Sequence, residues 1–122
     1  MTQQIGLIKR LIEAAKTETG IEVGTIVDDK LIMDRSRKFN NVLIKACIMN
    51  LLNKHHGLGV AEIGKILGMD HSTVIHHVKA HPYRYGTEDF YYDVYNALAN
   101  ESREAASYSL DAGKIIKIIR EI

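Results

Sequence analysis

The chain has 122 residues, 46% of them hydrophobic and 25% charged, with one cysteine and one proline. That mix is too apolar for a disordered chain, no apolar run approaches the roughly 20 residues that span a bilayer, and Met-Thr-Gln-Gln at the start lacks the pattern of a secretion signal. Cys47 has no partner for an internal disulfide, which points to a reducing, cytoplasmic compartment. The formal charge of +1 conceals a strong asymmetry. Residues 30–54 carry six Lys/Arg against the single acid Asp34, whereas residues 1–29 and 82–122 each have a net of −2. Such a block reads either as a local surface for a polyanion or as a solvated helix face.

In chain order, Ile5, Ile8, Leu11, Ile12 and Ala15 recur at helical spacing and predict an amphipathic helix over about 3–16, stopped by Thr17, Thr19 and Gly20. Ile21–Met33 is ambiguous between strand-like alternation and a helical turn, and is expected to be irregular with a short helix. Ser36 is the expected cap of a longer helix running to about Asn53, with Phe39, Leu43, Ala46 and Cys47 on its buried face. A short helix over Val60–Leu67 stops at Gly68, and the next is expected to run from Asp70 to just before Pro82. Thr87 is the expected cap of a further helix, with Glu88 and Asp89 in its first turn and Phe90, Val94 and Leu98 on its apolar face. A last helix is expected over Ser109–Ile122. The expected fold is a single all-α domain: a helical bundle around a helix-turn-helix, with extra C-terminal helices.

The segment Val60–Val74 carries the grammar of that motif. Ile63 and Leu67 share a face, Gly64 is small where a second helix must cross, and Gly68 permits a tight turn. Val74, Ile75 and Val78 return the second helix to the core, leaving His71, Ser72, Thr73, His76 and Lys79 to point outward. In a DNA-binding helix-turn-helix this is the end that enters the major groove. An ordinary αα-corner has the same pattern.

Glu62-Ile63-Gly64, followed by Asp70-His71-Ser72-Thr73-Val74-Ile75-His76, strongly resembles the signature of the C-terminal DNA-binding domain of DnaA, the bacterial replication initiator. The resemblance covers about Asp34–Ala80, beginning where Arg35-Ser36-Arg37 looks like that family's basic loop. It implies that Asp70, His71 and Ser72 read bases and that Thr73 contacts the backbone. It also implies that Arg37 enters the minor groove, beside Arg35, and that Lys45 and Lys79 face phosphates, with His76 on the same outward surface. A guanidinium fork suits the narrow minor groove. Asp70 can cap the recognition helix and accept from a cytosine amino group. The sequence departs from the family at Gly68-Met69, which is one residue shorter than the usual Gly-Gly-Arg and lacks its arginine, so a tighter turn is expected.

These residues imply a sequence-specific binder of double-stranded DNA of the DnaA-box type, acting in replication or transcription regulation. The expectation is a free-standing, nucleoid-associated cousin of the initiator without its ATPase domain, from a mobile element, phage or bacterium. The alternative is a helical protein-interaction adaptor whose helix-turn-helix is only architectural. No enzymatic activity, cofactor, nucleotide, metal or membrane partner is expected. Gly59–Ile66 nearly spells a phosphate-binding loop but has Ile66 where a hydroxyl is required. Asp70-His71-Ser72 lies within one helical turn, so its side chains diverge and cannot form a catalytic triad. His77 and His81 lack a third ligand at a convincing spacing, and the six histidines are expected on polar helix surfaces. Tyr83, Tyr85, Tyr91, Tyr92 and Tyr95 around Arg84 read as packing residues or as stacking partners for bases. Leu110 and the five isoleucines of 115–122 imply a buried C-terminal helix, against the chain's own core or, in a homodimer, against a second copy.

Overall fold

The computed structural model describes residues 3–108. Five helices and one small hairpin follow in order: α1 (Gln3–Thr19), β1 (Gly24–Val27), β2 (Lys30–Met33), α2 (Phe39–Lys54), α3 (Val60–Leu67), α4 (His71–Thr87) and α5 (Asp89–Tyr108). The all-α expectation holds, with the hairpin as an addition. The expected C-terminal helix over 109–122, and the dimer reading attached to it, lie outside the described residues. No described helix is long and apolar enough to cross a membrane.

Helix α1 buries Ile8, Leu11, Ile12 and Ala15 along one stripe, as its spacing demands. It ends where the Thr19 hydroxyl donates to the Ala15 carbonyl at 2.7 Å and Gly20 takes a left-handed φ of 78°. The following stretch is not irregular. It forms an antiparallel hairpin in which Gly24 pairs with Met33 and Val27 with Lys30. Its two-residue turn is Asp28-Asp29, both at positive φ, a turn whose twist matches that of paired strands. The usual Asn-Gly or Asp-Gly signal is missing, so the sequence alone does not advertise it. Leu31 and Met33 on one face pack against the core, while Ile32 on the other is exposed.

Helix α2 is the axis of the molecule. Ten consecutive residues, Leu43–Leu52, are buried, because α1, α3, α4 and α5 all pack around it. A helix covered on every side has no single buried face, so Phe39, one turn before the covered stretch, is left exposed. Ser36 does not cap this helix. Its hydroxyl accepts the Lys38 backbone N–H at 3.2 Å, just ahead of the first helical turn.

Helix α3 ends as expected at Gly68, which has a φ of 68°. The crossing with α4 is close: a Cβ on Gly64 would stand 2.7 Å from the Met69 carbonyl oxygen and 3.4 Å from the His71 Cα. Helix α4 does not stop before Pro82 but runs through it to Thr87. A proline inside a helix costs about 3 kcal/mol or more and orphans the carbonyl one turn earlier. Pro82 is exposed, and packing of α4 on α2 and α5 outweighs the loss. Thr87 belongs to the last turn of α4, where its hydroxyl donates to the Tyr83 carbonyl, and it does not cap α5. Glu88, with extended backbone, is the junction; its carbonyl accepts the Tyr92 N–H at 2.9 Å. Val94 and Leu98 are buried and Phe90 partly so.

Candidate nucleic-acid interface

The N-terminal turns of α4 present a polar, exposed edge. His71, Ser72, Thr73, His76 and Lys79 are all exposed, while Val74 is fully buried and Val78 packs against the core. Helix periodicity separates the two sets, and the turn at Gly68-Met69 sets their orientation. Met69 closes that turn by donating its N–H to the Gly64 carbonyl at 2.8 Å and packs partly into the core. The missing arginine is thus replaced by a tight, apolar turn.

Asp70 occupies the N-cap position with extended backbone, yet its side chain makes no capping bond. Its carboxylate instead accepts the Ser72 hydroxyl at 3.0 Å and lies 3.5 Å from His71 Nδ1. The sequence expectation that the Asp70 side chain caps the helix is therefore corrected: its carboxylate holds the Ser72 hydroxyl, while its backbone carbonyl accepts the Thr73 and Val74 N–H groups at 3.0 and 3.3 Å.

Facing this edge is the loop between β2 and α2. Arg35 and Arg37 are exposed and make no hydrogen bond or ion pair among the described residues. A groove of about 450 Å³ separates the two parts, lined by Arg35, Ser36 and Arg37 on the loop and by the N-cap Asp70 and Thr73 at the start of α4. The structure thus gathers Arg35, Arg37, Asp70 and Thr73 around one groove, with His71, Ser72, His76 and Lys79 on the exposed edge of α4.

Lys45 departs from the role that the resemblance implies. It is only 6% exposed, and its ammonium donates to Asp34 Oδ1 at 2.8 Å, the Ser36 carbonyl at 3.0 Å and the Asp34 carbonyl at 3.1 Å. An ammonium has three donors; all three are engaged inside the protein, and none remains for a phosphate. Asp34 also accepts Asn41 Nδ2 at 3.1 Å. Burial alone would raise its carboxyl, but the hydrogen bonds from Lys45 and Asn41 outweigh this and hold it below the usual carboxylate range. The signal available in the sequence was Asp34 itself, the lone acid in a basic block.

Behind the exposed edge, α4 is fastened by polar groups. Asn50 of α2, fully buried, donates through Nδ2 to the His77 carbonyl at 3.1 Å and approaches the Tyr91 hydroxyl at 3.2 Å. That hydroxyl shares a 2.6 Å hydrogen bond with His81 Nδ1. Arg84 donates to His77 Nδ1 at 2.8 Å. His77 is buried rather than on a polar surface; burial, with the nearby Arg84 charge, lowers it to about 4. Tyr85, Tyr91 and Tyr95 pack around His81 between α4 and α5, whereas Tyr83 stays exposed. Cys47 is a buried core residue whose thiol faces the Tyr91 carbonyl, and burial pushes that thiol up, away from reactivity. Among the described residues, no group of His, Cys, Asp and Glu is arranged to hold a metal ion.

Comparison with known proteins agrees with this geometry. The profile of the family described as "Bacterial dnaA protein helix-turn-helix" matches residues 8–80, which takes in most of α1 and the hairpin as well as the segment from Asp34. The chromosomal replication initiator protein DnaA of Kosmotoga olearia is 43% identical over 72 residues, 59% of this chain and 16% of that protein. The matched region is thus a small part of that relative's length. No solved structure matches the chain. With the profile covering more than half of the chain and the helix-turn-helix formed as its signature requires, the chain belongs to the DnaA helix-turn-helix family.

Proposed function

We propose that the chain binds double-stranded DNA in a sequence-specific manner, at sites of the DnaA-box type, in replication or its regulation. The observation that carries this reading is the juxtaposition, across one groove, of the exposed N-terminal edge of α4 with the guanidiniums of Arg35 and Arg37, which have no partner among the described residues. The relative's name, a chromosomal replication initiator, supports the setting. His71, Ser72 and Asp70 meet base edges in the major groove, Thr73, His76 and Lys79 lie beside them toward the backbone, and Arg37 enters the adjacent minor groove with Arg35 near its phosphates. Lys45 supports the loop from inside.

Selection of bound sequences from a random duplex pool, followed by titration across a salt series, tests this reading. Saturable binding that weakens steeply with salt is expected, because bound phosphates release counterions. His71→Ala is expected to cost roughly 1–3 kcal/mol on the selected site and little on random duplex. No saturable binding at low salt would leave the helix-turn-helix as an architectural corner in a protein-interaction module. Equal loss on both duplexes would show that His71 does not read bases.

A further inference from the structure

A carboxylate on a DNA-binding surface is ordinarily a liability, yet Asp34 sits in the middle of the basic block. It is tied down from several directions. Its backbone N–H donates to the Val23 carbonyl at the base of the hairpin at 2.8 Å. Its carboxylate takes Lys45 Nζ at 2.8 Å and Asn41 Nδ2 at 3.1 Å, both from α2. The same Lys45 ammonium also holds the carbonyls of Asp34 and Ser36. Exposure alternates along this stretch: Asp34 and Ser36 are half-buried, Arg35 and Arg37 exposed. Holding the even positions inward leaves the odd ones no direction but outward, toward the groove that α4 borders.

We propose that Asp34, clamped by Lys45 and Asn41, is a positioning residue for DNA binding: it presents Arg35 and Arg37 at a set distance and direction from the reading end of α4. The negative charge therefore strengthens binding to a polyanion. Without the clamp, two long side chains on a free loop lose conformational freedom only when DNA arrives, and that ordering weakens binding. This inference rests on the DNA-binding reading above. It opposes the simpler electrostatic view, in which Asp34 repels phosphate and a liberated Lys45 would attract it.

The two views predict opposite signs. Affinity for the selected duplex is measured for the wild-type chain, Asp34→Asn, Lys45→Met and the double variant, with a thermal melt of each. Asp34→Asn is expected to bind about tenfold more weakly, and the double variant no more weakly than the worse single one, since both break one clamp. Arg37→Ala should cost much less in the Asp34→Asn background than in the wild type, whereas His71→Ala should keep its full cost there. A general loss of structure would erode both costs together, so this split distinguishes positioning from unfolding. Asn41→Ala removes one bond to the same carboxylate without altering charge, and should weaken binding in the same direction by a smaller factor, even if Asp34→Asn folds poorly. Tighter binding by Asp34→Asn, additive losses in the double variant, or an undiminished Arg37→Ala effect would overturn the inference while leaving the DNA reading standing. A wild-type chain that binds no duplex would overturn both.

Discussion

The two sides of α4 are built to opposite rules. Along the outer edge of its first turns, His71, Thr73, His76 and Lys79 are exposed. On the inner side and toward the C-terminus, the polar groups have fixed partners: the His77 carbonyl with Asn50, the His77 ring with Arg84, and His81 with Tyr91. Water satisfies the outer groups at no cost, so they can be exchanged for base edges and phosphates. Buried groups have no such option, and an unmet donor or acceptor there costs about 1–3 kcal/mol. One face of the helix is thus free to exchange partners and the other is committed to the fold, and if the outer face serves DNA as proposed, substitutions should separate binding from stability.

The largest expected separation is with pH. His77 titrates near 4 in the folded chain, through burial and then the Arg84 charge, against about 6.5 when unfolded. The unfolded state therefore takes up the proton first. The contribution of His77 to stability is complete above about pH 6.5 and declines as pH falls toward 4, by up to about 3 kcal/mol. Denaturant midpoints at pH 7.5, 5.5 and 4.5 should show this slope, and His77→Gln should make it shallower, leaving the smaller share of His55, His56 and His81, which burial also lowers. If His71→Ala flattened it equally, the two faces would not be separate.

Next in size, Asn50→Ala should destabilise the fold by about 2 kcal/mol, since it withdraws the donor shared by the His77 carbonyl and the Tyr91 hydroxyl. Chemical denaturation measures the loss. The folded fraction should keep the wild-type salt dependence on DNA, because no phosphate contact is touched. The smallest stability effect belongs to Lys79→Ala, expected within about 0.5 kcal/mol of wild type. Its signature should be a salt slope shallower by about one, uniform across sequences. A change in melting temperature with an unchanged slope would place Lys79 on the anchoring side.

Much of this arrangement was legible along the chain because it is local. The Ile63–Gly64–Leu67 spacing, the left-handed turn at Gly68 and the inward return of Val74 all lie within fifteen residues, and the structure has each of them. The exposed polar edge follows from the same periodicity. The misreadings share a different cause. Phe39 looked like a core residue because the helix period gives a face, while the number of neighbours around α2 decides how much of that helix is covered. Pro82 looked like a stop because its local cost is real; packing on α2 and α5 outweighs it. The hairpin has no local signal because Asp28-Asp29 occupies a turn that glycine usually marks.

The helical class, the helix-turn-helix and the polar edge of α4 follow from local order along the chain, since periodicity, turn chemistry and a compact signature act over a few residues. The role of Lys45 comes from packing alone. On the sequence it is one more cation in a basic block, equally suited to solvent or to phosphate. Only when α2 is surrounded, and the base of the hairpin brings Asp34 beside it, does the ammonium lose its water and take the acceptors of Asp34 and Ser36 instead. An ion pair spanning eleven residues is a property of the packed chain, and charge counted along the sequence carries no record of which cation is buried.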